Sequence, residues 1–296
     1  MIVNSQALQT IYRGYKVIFN EVFAGTKPQY ERIATVVPSK TKSEEYGWLG
    51  SFPRMREWIG DRVINSLAAH GYTIKNKSWE DTVEVDRDDV EDDTYGVYMP
   101  MIRELGRSAA THPDEIIFGL LGRGFVELCY DGQYFFDTDH RDGDGPIQSN
   151  MGTLALSPAS YSAARAQMMS LTDANGAPLG ISPNLLVVPP QLDETGRGIL
   201  LAEQISGTTN TLRNTAELLT VPWLAKNPKA WFLLDTSRAI KPLIFQQRKK
   251  PEFVSMDSVS DMNVFMQKKF LYGADCRDNA GFGLWQLAFG STGENA

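Results

Sequence analysis

The chain has 296 residues, with 29 Lys and Arg against 36 Asp and Glu for a formal charge of −7, and it is 42% hydrophobic and 10% aromatic. That length allows one large domain or two modest ones with a sizeable core, and the composition excludes disordered, collagenous and coiled-coil classes. No run approaches the roughly 18 apolar residues of a membrane span and the first ten residues lack a secretion signal, so the chain is expected to stay in the cytosol where it is made.

Ala7, Leu8, Ile11, Tyr12, Tyr15, Ile18, Phe19 and Val22 recur at three- and four-residue spacing and predict an amphipathic helix, capped by Asn4 or Ser5 and ended by Gly25 and Pro28. Arg32 to Val37 is a short β-branched run stopped by Pro38. From Tyr46 to Asp93 the character changes. An aromatic and glycine cluster (Tyr46 to Pro53) leads into strand-like pieces at Val63–Leu67, Tyr72–Lys77 and Thr82–Asp86. In the last piece Val83 and Val85 face one way and Glu84 and Asp86 the other, as a half-buried or edge strand requires. This stretch is too polar to bury itself and too aromatic for water, so it is expected to lie on something.

Charge is unevenly placed. Glu80 to Asp93 carries nine acids and one base, about −8, leaving the remainder near +1. Arg54, Arg56, Arg62, Lys75 and Lys77 against Glu57 and Asp61 give the arm before it a charge of about +3. One copy's basic arm thus suits another copy's acidic limb. A near-neutral body with an acidic limb argues against a nucleic-acid reader, which carries a basic stripe.

A long helix is predicted from Tyr98 or Met99 to Leu121, about 33 Å if continuous, with Pro100 in its first turn and Pro113 bending or briefly interrupting it. Phe125–Tyr130, Asp131-Gly132 and Gln133–Asp137 read as a hairpin with a tight turn. Thr138–Asn150 is rich in turn formers and marks the main domain boundary. Beyond it Ser157 caps a helix starting at Pro158, Leu185–Val188 is a buried strand, and Pro190–Glu203 starts another helix. Lys229–Leu234, Leu243–Gln247, Glu252–Met256 and Val264–Leu271 read as strands. Helices and strands mixed without strict βαβ repetition give an α+β class.

Little of this carries pocket chemistry. Asp137, Asp139, His140, Asp142 and Asp144 crowd hard oxygens beside an imidazole, the pattern of a metal-dependent hydrolase, but the spacing fails a calcium loop: counted from Asp137, Arg141, Asp142 and Gln148 occupy slots needing a ligand, a glycine and an acid. The three histidines, His70, His112 and His140, are isolated in sequence and give no catalytic triad or HExxH motif. No phosphate loop or nucleophile elbow occurs. Cys129 and Cys276 lack a CxxC pattern and read as small apolar fillers. Arg248-Lys249-Lys250 reads as a solvated strand end.

Surfaces that cannot complete themselves are completed by neighbours, and head-to-tail use of such surfaces gives rings that tile shells. The residues agree with that idea. Tyr46-Gly47-Trp48-Leu49-Gly50 with Pro53, Met55 to Arg62, Cys129-Tyr130-Asp131-Gly132 with Phe135-Phe136 and His140, Leu186 to Pro190, Tyr272 to Arg277, Gly281-Phe282 and Trp285-Gln286-Leu287 together resemble, in order and over essentially the whole chain, the major head (capsid) subunit of Mu-like phages and prophages. The resemblance extends to the tailed-phage capsid fold named after phage Hong Kong 97.

It implies an N-terminal arm (1–45), an extended loop lying over a neighbour (46–93), a peripheral domain with a spine helix (94–149), an axial domain (150–250) and a return to the peripheral domain (251–296). It further implies a non-enzymatic subunit without cofactor or membrane, forming pentamers and hexamers. Scaffold, maturation protease and portal proteins would be partners in an icosahedral head around double-stranded DNA, with the host cytoplasm as the site before assembly. Under it, Tyr46, Trp48, Arg54, Arg56, Trp58, Arg62, Lys75, Lys77, Glu84, Asp86, Asp88 and Asp89 are the expected inter-subunit contacts. Some related shells crosslink loop lysines to asparagines; Lys75, Asn76 and Lys77 match no such motif. An encapsulin-type compartment with an enzyme cargo, and a hydrolase using Asp137, Asp139, His140 and Asp142, are the competing readings.

Overall fold

Helix α1 (Ser5–Gly25) forms where the apolar spacing predicts it, in a computed structural model that describes residues 4–47, 49, 71–92, 94–141 and 145–294. Asn4 is its cap, the side-chain oxygen accepting from the Ala7 N–H at 2.9 Å. Leu8, Ile11, Tyr15 and Phe19 are buried, each contributing about 1.5–3 kcal/mol by leaving water. They face helix α3 (Met99–Gly122) and a sheet. At Gly106 of α3 a side chain would meet the Phe19 carbonyl at 2.8 Å, so only glycine lets the two helices approach this closely.

Helix α3 is about 36 Å long and continuous through Pro113. The predicted interruption does not occur. The next residue, Asp114, is buried and accepts from the backbone N–H groups of Gln29 (2.8 Å) and Tyr30 (2.6 Å), anchoring the segment after α1 to the middle of α3. Burial raises the Asp114 pKa against the lowering effect of those two bonds.

Two sheets organise the rest. The first is four-stranded, ordered β1 (Ala34–Pro38), β13 (Leu243–Met256), β14 (Lys269–Phe282) and β4 (Lys77–Asp86). β1 runs parallel to β13 and the other pairs are antiparallel. The second is five-stranded, ordered β11 (Glu217–Thr220), β8 (Leu185–Val188), β12 (Trp231–Leu234), β15 (Ala288–Ser291) and β7 (Met151–Gly152). Leu185–Val188 and Trp231–Leu234 are buried at every position, which is why both appear as unbroken apolar runs. Helices α4 (Pro158–Met169) and α5 (Asp193–Leu200) accompany this sheet, and α4 opens on a reciprocal capping box between Ser157 and Ser160. Short ladders pair β2 (Ser43–Glu45) with β3 (Thr73–Lys75), β5 (His140–Arg141) with β6 (Ile147–Gln148), and β9 (Gln204–Ile205) with β10 (Thr208–Thr209).

Apolar side chains gather in two cores. The smaller contains the buried face of α1, Ile102 and Leu105 of α3, and Phe253, Phe270 and Tyr272 from the far ends of β13 and β14. The larger contains Ile117, Phe118 and Leu121 of α3, Leu243 to Phe245, Phe282 and the whole five-stranded sheet. Helix α3 therefore runs through both. The architecture is mixed α+β, as the element pattern predicts.

Several local expectations are corrected. Phe125–Asp137 forms the predicted hairpin only next to its turn: Leu128 bridges Tyr134, and the Cys129 and Phe135 N–H groups donate across to the Gln133 and Glu127 carbonyls, but no longer ladder follows, because Phe135 and Phe136 both turn inward where an alternating strand would expose one of them. Arg248-Lys249-Lys250 lies in mid-strand, where bulges flank Lys249 and direct its ammonium to Asp275 (2.8 Å) and Glu252 (3.2 Å). Val264–Leu271 divides into helix α6 (Met262–Gln267) and the start of β14, separated by Lys268 at φ 56°. The helix expected over Pro190–Glu203 is a 3-10 turn followed by α5 and stops at Leu200. The predicted Val63–Leu67 strand lies outside the described residues.

Candidate assembly surfaces

The stretch expected to lie on a neighbour divides in two. Strand β4 is ten residues of its own subunit's sheet, with Val83 and Val85 buried and Glu80, Asp81 and Glu84 exposed, as its alternation predicts. Among the described residues it is the sheet's edge, and exposed acids there oppose uncontrolled strand addition. The acidic limb winds into α2 (Arg87–Glu91), capped by the Asp86 carboxylate accepting from the Asp88 N–H at 2.9 Å.

Of the expected contact residues, Lys75, Lys77, Glu84 and Asp88 are exposed, with Glu84 ion-paired to Lys269 and Asp88 3.7 Å from the Lys268 ammonium. Asp89 accepts from the Tyr98 hydroxyl at 2.6 Å. Tyr46 departs from expectation: it is buried in its own subunit, its hydroxyl donating to Gln246 at 2.8 Å, because a phenol with an internal acceptor is better satisfied there than at a rim. Trp48, Arg54, Arg56, Trp58 and Arg62 lie outside the described residues. Asn76 is also engaged internally, by Ser39, Thr41 and Gln246.

The base of the insertion is closed. Glu45 pairs with Thr73 across β2 and β3, and the Tyr46 N–H donates to the Tyr72 carbonyl at 2.9 Å. Leu49 is buried in the core. The ends of segment 50–71 are therefore held beside one another on the body. Just before it, Glu44 gathers the Lys40 and Thr41 N–H groups and the Ser39 and Thr41 hydroxyls, which lower its pKa to about 2.

Sequence reading missed the apolar tip where β13 passes to β14. Phe265 is 83% exposed, Met262 69% and Met266 68%, and Met256 and Val259 beside them are also exposed. Six residues of helix present these side chains to water. The usable signal was local: Asp261 stands at the N-cap, its carboxylate accepting from the Ser258 N–H at 2.8 Å, but no glycine marks the helix end. Single exposed apolar residues are ordinary, whereas a cluster marks an interaction site. A separate open groove of about 1040 Å³ lies between α3 and the Pro222–Leu224 turn, bordered by Lys77, Arg123 and Trp223.

The hydrolase cluster does not converge. His140 is fully buried, its Nδ1 2.7 Å from Asp131 and its ring stacked on Trp285 at 4.2 Å. Asp139 lies instead beside Asp137, which raises its pKa, and Asp142 and Asp144 lie outside the described residues. The bonds from His140 and Cys129 hold the Asp131 carboxylate below the usual range against the opposing effect of burial. Two sets of His, Cys and Asp do come together among the described residues: Cys129, Asp131 and His140, and His112, Cys276 and Asp278. No helix among the described residues is long and apolar enough to cross a membrane.

Two of the segments carrying the family resemblance, Cys129 to His140 and Gly281 to Leu287, meet in space. Phe135 stacks on Phe282 (4.4 Å, 13°), His140 on Trp285, and the Tyr130 hydroxyl donates to Gln286 at 3.1 Å. That part of the resemblance is thus written in a structural joint. Comparison with known proteins agrees. The family profile described as "Mu-like prophage major head subunit gpT" matches residues 8–154, 151–224 and 225–295. The major capsid protein of Escherichia phage Mu is 37% identical over 294 residues, covering 99% of this chain and 76% of that protein. The Mu-like prophage FluMu major head subunit of Haemophilus influenzae is 37% identical over 293 residues, covering 99% and 75%. Among solved structures, the procapsid of bacteriophage JBD30 aligns with a TM-score of 0.63 at 37% identity, covering 98% of this chain and 76% of that one.

Proposed function

The chain belongs to the family of Mu-like prophage major head subunits, and from that premise we propose how its surfaces build a shell. It is a phage capsid protein, a component of the virion whose shells are assembled from many copies of the subunit. We place it in the Hong Kong 97-type arrangement. The four-stranded sheet with α3 as spine is the peripheral domain, and the five-stranded sheet is the axial domain meeting its symmetry mates at the centre of pentamers and hexamers. Residues before β1 form the N-terminal arm. Segment 50–71 is the extended loop over a neighbour, narrower than 46–93 because β4 and α2 belong to the peripheral sheet. A second copy covers the apolar tip at Phe265.

The observation that carries this reading is the closed base at Tyr46 and Tyr72. An insertion whose ends are fastened together contributes little to its own fold and is free to serve a neighbour's. Arg54, Arg56 and Arg62 in it then face an acidic edge, Glu80 to Asp92, on the next subunit. The shell closes around double-stranded DNA, assisted in the host cytoplasm by scaffold, protease and portal proteins. An acidic subunit holds phosphate weakly, which suits a container that must release its genome. Contacts between copies, without catalysis, are its function.

Replacing residues 50–70 with a short Gly-Ser linker tests this. Far-UV circular dichroism and the melting temperature are expected to stay near those of the parent, while shells disappear from negative-stain micrographs. Normal shells from this variant would remove the neighbour-clasping role.

A further inference from the structure

We propose that His112, Cys276 and Asp278 form a zinc site that ties the spine helix α3 to strand β14. Their three donor atoms lie within 4.8 Å of one another, and His112 Nε2 is 3.1 Å from Asp278 Oδ1. Cys276 and Asp278 are two residues apart on one strand, so both face the same side of the sheet, toward the helix carrying His112. Donors about 2.0–2.3 Å from a tetrahedral zinc stand roughly 3.2–3.8 Å from each other, and the His112–Asp278 pair is already near that spacing.

Charge favours a dication. Cys276 and Asp278 are buried, and a thiolate with a carboxylate and a neutral imidazole balances a charge of two. As the zinc–sulfur bond forms, the Cys276 S–H proton passes to water. A sulfur and an imidazole nitrogen in the donor set select zinc over magnesium or calcium. A cavity of about 70 Å³ adjoins His112 and Cys276, with Glu80, Asp81 and Asp275 on its wall to attract a cation. It has room for a water as fourth ligand. The indole N–H of Trp79, which lines the same cavity and is buried without an acceptor, would then have that water as its partner.

The second cluster is less accessible, since the His112 side chain keeps part of its surface exposed and that of His140 none. Its Asp131 carboxylate already accepts from the Gln133 N–H (3.1 Å) and Cys129 (3.0 Å) besides contacting His140, and the imidazole is wholly enclosed against Trp285. Cys129 therefore serves as an internal control.

The test is a cobalt(II) titration of the full chain after chelator treatment and desalting. Visible ligand-field bands and a near-ultraviolet thiolate charge-transfer band are expected to saturate at one equivalent and to vanish when zinc displaces cobalt. Cys276→Ser is expected to abolish the charge-transfer band and Cys129→Ser to leave it intact. His112→Gln should weaken binding at least tenfold. Absence of the band from the parent protein, saturation at no defined stoichiometry, or persistence of the band in Cys276→Ser would each overturn the proposal. Because the parent titration needs no variant, a folding defect in Cys276→Ser does not obscure the outcome, and none of these readouts depends on shell formation.

Discussion

A subunit carrying Phe265→Asp and Met266→Asp is expected to fold with an unchanged melting temperature and to be missing from shells. Phe265 and Met266 are among the most exposed apolar side chains of the described residues, so replacing them removes no internal packing and should alter stability by no more than about 0.5 kcal/mol. Against a neighbouring subunit the same side chains matter. Burying a phenylalanine is worth about 1.5–3 kcal/mol, and forcing a carboxylate into that contact adds a desolvation cost. A combined loss above about 3 kcal/mol is more than a hundredfold in each association constant, and a shell repeats the contact in every copy. Phe265→Leu, which keeps the tip apolar, should still assemble. Sedimentation of cell lysates and thermal unfolding of the purified subunit separate the two effects. Wild-type shell yield from the double variant would show that no copy covers the tip.

Phe135→Ala is expected to do the reverse. This side chain is fully buried and stands between the two sheets: it stacks on Phe282 of β14, while its neighbour Phe136, 4.9 Å away, packs on Phe232 of β12 at 5.4 Å. Gly290 of β15 leaves the space that the Phe136 ring fills, since a Cβ there would lie 2.7 Å from it. Emptying such a site costs about 3–5 kcal/mol through lost transfer energy and the residual cavity, a large part of the 5–15 kcal/mol that holds a typical domain. Urea unfolding of the unassembled subunit measures it. A loss under about 1 kcal/mol would mean that the Phe135–Phe282 stack does not couple the two sheets. The two phenylalanine substitutions, Phe265→Asp and Phe135→Ala, thus separate assembly from folding.

Local chemistry made much of this fold legible. The spacing in α1, the Ser157 capping signal of α4 and the apolar runs Leu185–Val188 and Trp231–Leu234 each state their own structure, because side chains within a few residues decide it. What escaped depends on partners far along the chain. Most of β14, Tyr272 to Phe282, looks too polar for a strand, yet Asp278 is buried against His112 and Asp275 is paired with Lys249. Asp131-Gly132 carries turn chemistry, with Gly132 at φ 85°, and the residues beside it pair briefly, but the side chains beyond the turn answer to Phe282, Trp285 and Gln286. Val264–Leu271 reads as one strand, whereas residues 262–267 wind into α6, which ends at the left-handed Lys268.

The same division applies to the surfaces. Exposed Glu84 was identifiable from its alternation with Val83 and Val85, and Lys75, Lys77 and Asp88 from their charge. Tyr46 was not separable from them, since an aromatic next to glycines looks the same whether it meets a neighbour or, as here, Gln246 two hundred residues away. Part of the family resemblance sits in the joint between the sheets, where Phe135, His140, Phe282 and Trp285 constrain one another's shapes.

Sedimentation velocity of the purified chain over a range of concentrations, with electron microscopy of the same samples, bears most directly on the claim that this subunit is completed by its own copies. Capsomers or closed shells in the megadalton range are predicted, from the chain alone or on co-expression with its scaffold. A single monomeric boundary at every concentration under both conditions would contradict it.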